Sequence, residues 1–347
     1  MSLKRLLIFA VIGLALFTAC AKRSTGPTDS SVLSLFKEIP VVGNALEISG
    51  SDTELYVAAD QGGLTVINTN TWQSRWWTKL FPGGSGCNLI NIRRVSVVPE
   101  HDLLFIGEYD AADNVYIVDV SDPDYLLMYD NIQGGTDKLQ QIRFNAINNP
   151  TGNDIIQGYY VSTKAVSGSI SRPTLTCWRY TGLVGDARPI WQIGTTYQIH
   201  GFDVTDNLVV LTQQQRGLFI YERRTQNQLS EIALTGQALD VKVSGDYAYV
   251  ACRQEGLQIV DISDPADPKF VSRFDTKGYA TSVELKDNLA LVSSGSGGVY
   301  LFDVSNPAKP ILKENITSAG YSNKAIFYKD KVVVAARDKG VVVYKFK

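Results

Sequence analysis

Along most of the chain, apolar residues come in short runs of alternating or continuous hydrophobics. The runs are broken by polar stretches rich in Gly, Asp, Ser and Pro, the pattern of short strands joined by tight turns rather than of helices. Where the pattern is clearest, residues 239–244, 247–252, 257–262 and 268–275 each read as one strand. Gly245 and Asp246 separate the first two, Gln254, Glu255 and Gly256 the next two, and Ser263, Asp264 and Pro265 the last. Each is a turn former for a physical reason: glycine reaches positive φ, Asp and Ser side chains bond nearby backbone amides, and proline fixes φ. The Asp-Pro pairs are therefore read as turn chemistry, not as catalytic acids.

This unit repeats. The stretch GLQIVDISDPADP at 256–268 returns as GVYLFDVSNPAKP at 298–310. Aligning the polar residue that ends the apolar run joins Asp261 and Asp303 to Asn68, Asp119, Arg179, Glu222 and Lys345, spaced roughly 40 to 60 residues apart. The spacing predicts an all-β fold, a seven-bladed β-propeller of four-stranded blades. The last unit supplies strands at 324–328, 332–336 and 341–346 and then stops. The strand-like stretch 32–39 is expected to be its missing outer strand, closing the ring by pairing an N-terminal strand with the C-terminal blade. Unit three carries two insertions, 148–157 and 164–172, expected as loops, and a Gly-rich connection at 81–87 joins units one and two.

Charge removes one class of function. With a formal net charge of −2 over 347 residues, the chain lacks the basic footprint that nucleic-acid binding requires. At the N-terminus, MSLKR precedes an apolar stretch at 6–17 that is too short to span a bilayer comfortably and reads as an export signal. The following LFTAC at 16–20 resembles the bacterial lipobox, which implies lipidation of Cys20, and Ala21 after the cysteine resembles outer-membrane sorting. The expected division is a signal peptide at 1–19, a lipidated flexible linker at 20–31, and the propeller at 32–347. Cys87, Cys177 and Cys252 imply no disulfide framework, and Cys177 and Cys252 are expected as small buried residues.

Little in the chain suggests catalysis. The two histidines, His101 and His200, lie in no nucleophile elbow, and the acidic loop 108–114 lacks the spacing of a known cation loop. No catalytic residue, cofactor or metal is expected. Inner strands line a propeller channel, so Glu47, Arg93, Arg143, His200, Asp203 and Asp240 are the ligand candidates there, with Arg94 beside them. Alternation is expected to turn Asp240 toward channel water between Leu239 and Val241. The simpler account is a solvated wall held by mutual charge neutralisation. Loops on one face of the ring, the long segments 81–88 and 164–172 among them, collect Lys164, Arg172, Arg216, Arg253 and Arg337, with Tyr109 and Tyr321 nearby, and form the candidate partner-binding face.

The runs LQIVDISDP at 257–265 and VYIVDVSDP at 115–123 resemble the LVIVD repeat of secreted bacterial and archaeal proteins. The resemblance implies a surface or periplasmic propeller and brings no catalytic residues with it. The expected function is a non-enzymatic, membrane-anchored interaction module, an accessory subunit that binds protein partners in a bacterial cell-envelope complex at the outer membrane. A glycan or small-ligand binder at the channel mouth is the alternative. A metal-dependent hydrolase or lyase ranks third, because no histidine or carboxylate cluster recurs at equal blade positions.

Overall fold

The computed structural model describes residues 31–81, 88–109, 114–133, 141–147, 155–166, 170–180 and 188–347. Its regular structure is seven four-stranded antiparallel sheets, and the one helical piece among the described residues is a short 3₁₀ turn at Pro99–His101. Each sheet uses consecutive strands in chain order, except that one sheet takes its outermost strand from the other end of the chain. In blade five the strands are Asp240–Ser244, Tyr247–Ala251, Leu257–Asp261 and Lys269–Phe274, each within a residue or so of the turns expected from sequence. The first strands of neighbouring blades lie against one another and form the inner wall.

Two-residue alternation decides which blade each side chain packs against. In blade five, Tyr249, Ala251, Leu257 and Ile259 pack toward blade six, whereas Ala248, Val250, Val260 and Ile262 pack toward blade four. Both faces of a middle strand are thus buried, which is why these strands read as continuous apolar runs. Every neighbouring pair of blades shares one such core, so the seven clusters match the seven blades and no blade is terminal. Even the join of blades two and three has its own core, in which Phe105 meets Trp178 edge to face at 5.5 Å.

The ring closes as the sequence predicts. Leu33–Ile39 runs antiparallel to Gly340–Phe346, from Leu33 opposite Phe346 to Ile39 opposite Val341, with a bulge at Phe36. Blade six adds a clasp: Glu314 Oε2 accepts the backbone N–H groups of Val32 and Leu33, each at 2.8 Å, and Oε1 accepts the Ser31 hydroxyl at 2.9 Å. Outer strands are edges that invite foreign pairing. In six blades that strand carries a bulge, for example at Leu229, Val271 and Lys313, which twists the edge and interrupts its ladder.

Two expectations need correction. The described residues of the insertion at 164–172 are strand, not loop: blade three's middle strands, Ile155–Val166 and Ile170–Tyr180, stay paired out to Val166 opposite Ile170, with Lys164 opposite Arg172. An alternating, β-branched sequence continues the ladder, so pairing satisfies backbone groups that a loop would leave to water. The connection after blade one also folds away from the face it was assigned to. The Phe81 N–H donates to the Leu126 carbonyl at 2.9 Å, the Met128 N–H donates to the Phe81 carbonyl at 2.7 Å, and the Phe81 ring stacks on Tyr125 at 4.5 Å. Residues 82–87, with Cys87, lie outside the described residues.

Below, the upper face is the one that carries the turns between second and third strands and the connections from one blade to the next. The lower face carries the other two sets of turns.

Candidate functional site: channel wall and upper face

An innermost strand has no sheet partner on its axis side, so its backbone N–H groups need other acceptors. Side chains from the preceding blade provide them. Ser49 Oγ accepts the Val97 N–H at 3.0 Å, Asp203 Oδ2 accepts Val243 at 2.8 Å, and Asp240 Oδ2 accepts Val283 at 3.1 Å. In all three the acceptor reaches one position past its own equivalent in the next blade. Asp240 is only 1 % exposed and so is turned into the blade junction, not toward channel water as alternation alone suggested. Asp203 also stands one layer away from Asp240: it pairs with Val210 in the middle of its neighbour strand and is level with Lys242, which pairs with Tyr249.

Other described wall charges neutralise one another. Glu47 Oε2 lies 3.2 Å from Arg94 Nη1, and Glu284 bridges Lys242 and Lys324 at 3.6 Å each. Arg93 is not in this wall. It is the extra residue of a bulge between Ile92 and Arg94, and that bulge swings its guanidinium to the upper face, over the Tyr109 ring at 4.0 Å and 3.8 Å from Asp60. His200 is half-buried, its backbone N–H is bonded to the Thr212 carbonyl, and burial holds its pKa below the ordinary histidine value, so the ring is neutral at physiological pH. Arg143 sits on the inner strand Gln141–Ile147 opposite Tyr159, and its side chain falls outside the description. Cys20 likewise lies outside the described residues. Cys177 and Cys252 are fully buried, and burial pushes the Cys252 thiol far up, so it stays protonated and inert.

On the upper face a repeated backbone carries varied side chains. Gly63, Gly217, Gly256, Gly298 and Gly340 end the turns between second and third strands at φ of +72 to +94°. A Cβ on any of them would strike the backbone carbonyl at the end of the outer strand, so only glycine fits. Three residues earlier in each turn stand Asp60, Gln214, Arg253, Gly295 and Arg337. The first four of these bridge through their backbones to Ile92, Ala238, Ala280 and Ser322 at the start of the next blade.

Arginines here lie on tyrosine rings. The Arg253 guanidinium is 4.8 Å from the centre of Tyr279 and donates to Gln237 Oε1; Arg337 is 4.0 Å from Tyr321. Arg216, 5.1 Å from Tyr197, also pairs with Glu231 at 3.0 Å. Such stacking orients a guanidinium while leaving N–H donors at its edge. Arg172 is exposed, at the flank of the extended hairpin. The sequence pattern does not single out Tyr197, which lies before the inner strand Gly201–Val204, or Tyr279. The signal for Tyr279 was the Gly-Tyr step before an inner strand, at Gly278-Tyr279 and again at Gly320-Tyr321.

Among the described residues no group of three or more His, Cys, Asp or Glu side chains is placed to hold a metal, and no helix is long and apolar enough to cross a membrane. No curated protein matches the chain. Among solved structures it is similar to the crystal structure of the computationally designed Ika8 protein, at 14 % identity and a TM-score of 0.60. The match covers 87 % of this chain and 83 % of that one, a likeness of fold alone. Residues 235–276 and 277–318 match the LVIVD repeat, and these spans coincide with blades five and six. The chain is thus an all-β protein of seven four-stranded blades that carries LVIVD repeats in two of them.

Proposed function

We propose that the protein is a non-enzymatic interaction module, tethered to the outer membrane through a lipid on Cys20, which presents its upper face to a protein partner in the cell envelope. The observation that carries this reading is the set of Arg–Tyr pairs at Arg216, Arg253 and Arg337 on one rigid face. Rigid aromatic and arginine side chains are the residues most often found at the energetic centres of protein interfaces. The side on which the chain enters the ring supports it. Val32 accepts a hydrogen bond from the Lys347 N–H, and Phe346 donates to Asp330, so the chain enters the ring on the lower side. A lipid on Cys20 would thus be joined, through a stretch of about 40 Å at most, to the side opposite the arginines.

Two experiments test the two halves of the proposal. Labelled palmitate should enter the protein, and Cys20→Ser should abolish both labelling and membrane association; unchanged labelling removes the anchor. For the interface, cross-linking in intact membranes should recover a partner with the native protein. The triple variant Arg216→Glu, Arg253→Glu, Arg337→Glu should recover much less, since reversed rim charges repel an established partner. Equal recovery of the same partner by both proteins would reject the upper face as its docking surface.

A further inference from the structure

Blade six breaks the upper-face pattern. Where blades five and seven place Arg253 and Arg337, blade six has Gly295, and its whole turn, Ser294–Gly298, carries no side chain larger than serine. The turn is fixed in shape. Ser294 donates to Gly298, Gly297 to Ser294, and Gly298 to Gly295, while Ser322 closes onto Gly295 from the next blade. Tyr321 covers Gly295 closely, so that even a Cβ there would press on the ring at 3.1 Å. The result is a low saddle with one Arg–Tyr pair on each side, Arg253 on Tyr279 and Arg337 on Tyr321.

Charge distinguishes this saddle from the rim around it. Toward the rim three cations are already matched to carboxylates: Arg216 to Glu231 at 3.0 Å, Arg273 to Glu255 at 2.7 Å, and Lys339 to Glu38 at 3.3 Å. Beside the saddle, Arg253 bonds an amide and Arg337 lies on a ring, and among the described residues neither has a carboxylate within ion-pair distance. Two oriented guanidinium groups flanking a turn without bulky side chains make a site for carboxylates, which arginine binds through paired N–H donors.

Resting on the interaction reading above, we infer that the saddle over blade six takes the side-chain carboxylates of an extended, acidic polypeptide segment. A uniformly charged polyanion suits the face less well, because the rim carboxylates Glu38, Glu231 and Glu255 would repel it. An anionic lipid surface suits it less well too, because the chain enters the ring from the opposite side. The exposed Tyr279 ring, 44 % accessible, offers the apolar contact that a peptide backbone and β-carbons can use.

The test titrates the full-length protein into a fluorescent synthetic peptide of alternating Glu and Ala, at low salt, reading anisotropy. Saturable binding is expected. It should weaken about tenfold or more in Arg253→Gln/Arg337→Gln and in Ser296→Glu, which puts a like charge in the saddle without touching either arginine. The same charge removal on the lower face, Lys269→Gln/Lys309→Gln, should leave binding unchanged. Absence of binding, or equal loss in the lower-face variant, overturns the inference. So does arginine-dependent binding to phosphatidylglycerol vesicles or dextran sulfate with none to the peptide, which would assign the arginines to a lipid or a glycan. Failure here is separable from failure of the interaction reading: cross-linking lost in the triple Arg→Glu variant, with no peptide binding, keeps the interface and discards its preference for carboxylates.

Discussion

The two faces of the ring solve the same problem, satisfying the backbone of a tight turn, in opposite ways. On the lower face side chains do it. Asp119, Asp261 and Asp303 accept the N–H groups of Ser121, Ser263 and Ser305 at 2.8, 2.9 and 3.0 Å. Three residues later in the chain, Asp122, Asp264 and Asn306 accept those of Asp124, Ala266 and Ala308. Serines of the outer strands then tie these turns to the preceding blade, Ser230 to the Pro265 carbonyl at 2.6 Å and Ser272 to Pro307 at 2.5 Å. On the upper face backbone bridges such as Arg253 to Ala280 and Gly295 to Ser322, with an obligatory glycine ending the turn, carry the turns, and small hydroxyls assist: Ser294 donates to the Lys277 carbonyl and Ser322 to that of Gly298. Side chains freed from turn duty can differ from blade to blade. The lower face is therefore repetitive in sequence and acidic, and the upper face is variable and carries the arginines.

The sharpest way to break this contrast is at the clasp, where the lower side admits the chain. Deleting residues 31–39 strips the outer strand from blade seven and leaves the Val341–Phe346 edge and part of two cores open. The expected loss is several kcal/mol, roughly 10 °C or more in Tm by calorimetry. A cooperative melt at the native temperature would mean that the ends do not hold the ring.

Next in size comes Asp240→Ala, which leaves the buried Val283 N–H without its acceptor and should cost about 1–3 kcal/mol in a urea titration. Asp240→Asn should cost less, since its amide oxygen can still accept.

Lower-face turns should also reveal themselves in acid. Hydrogen bonds from Ser305 hold the Asp303 carboxyl below its ordinary value of 3.8. For Asp119 burial pulls upward, but bonds from Tyr129 and Ser121 prevail and lower it. A carboxyl whose folded pKa is depressed adds stability that is complete above its unfolded pKa, near 4, and is lost as pH falls through the folded value. The double variant Asp119→Asn/Asp303→Asn keeps the turn acceptors without the titration. Its stability should therefore fall less steeply than the native protein's between about pH 4 and pH 2, and identical slopes would deny these two turns a role in acid unfolding.

Smallest of all should be the effect of Arg253→Gln/Arg337→Gln on folding, within about 0.5 kcal/mol per site, because these side chains support no turn. A larger loss would show that the upper face, too, spends its side chains on structure.

Much of this was legible in the chain itself. The apolar runs, the Asp-x-Ser-Asp/Asn-Pro steps and the recurring glycines are each dictated by local geometry, so they report strands, turns and the number of blades without any knowledge of neighbours. Even the closing strand could be inferred, since a three-stranded last unit and one spare strand at 32–39 leave a single solution. The failures have a common cause. Arg93 and Asp240 were assigned to the channel by counting along a strand, but one extra residue in a bulge sends Arg93 out of register, and Asp240 turns to a backbone donor that belongs to another blade. The insertion 164–172 is the exception: residues 164–166 and 170–172 are neighbours in sequence as well as in space, so this hairpin extension is local in origin. What a residue does within its own strand or turn is set by a few neighbouring torsions and can be read from sequence. Which blade supplies its partner depends on contacts some forty residues away, and only the closed ring determines those.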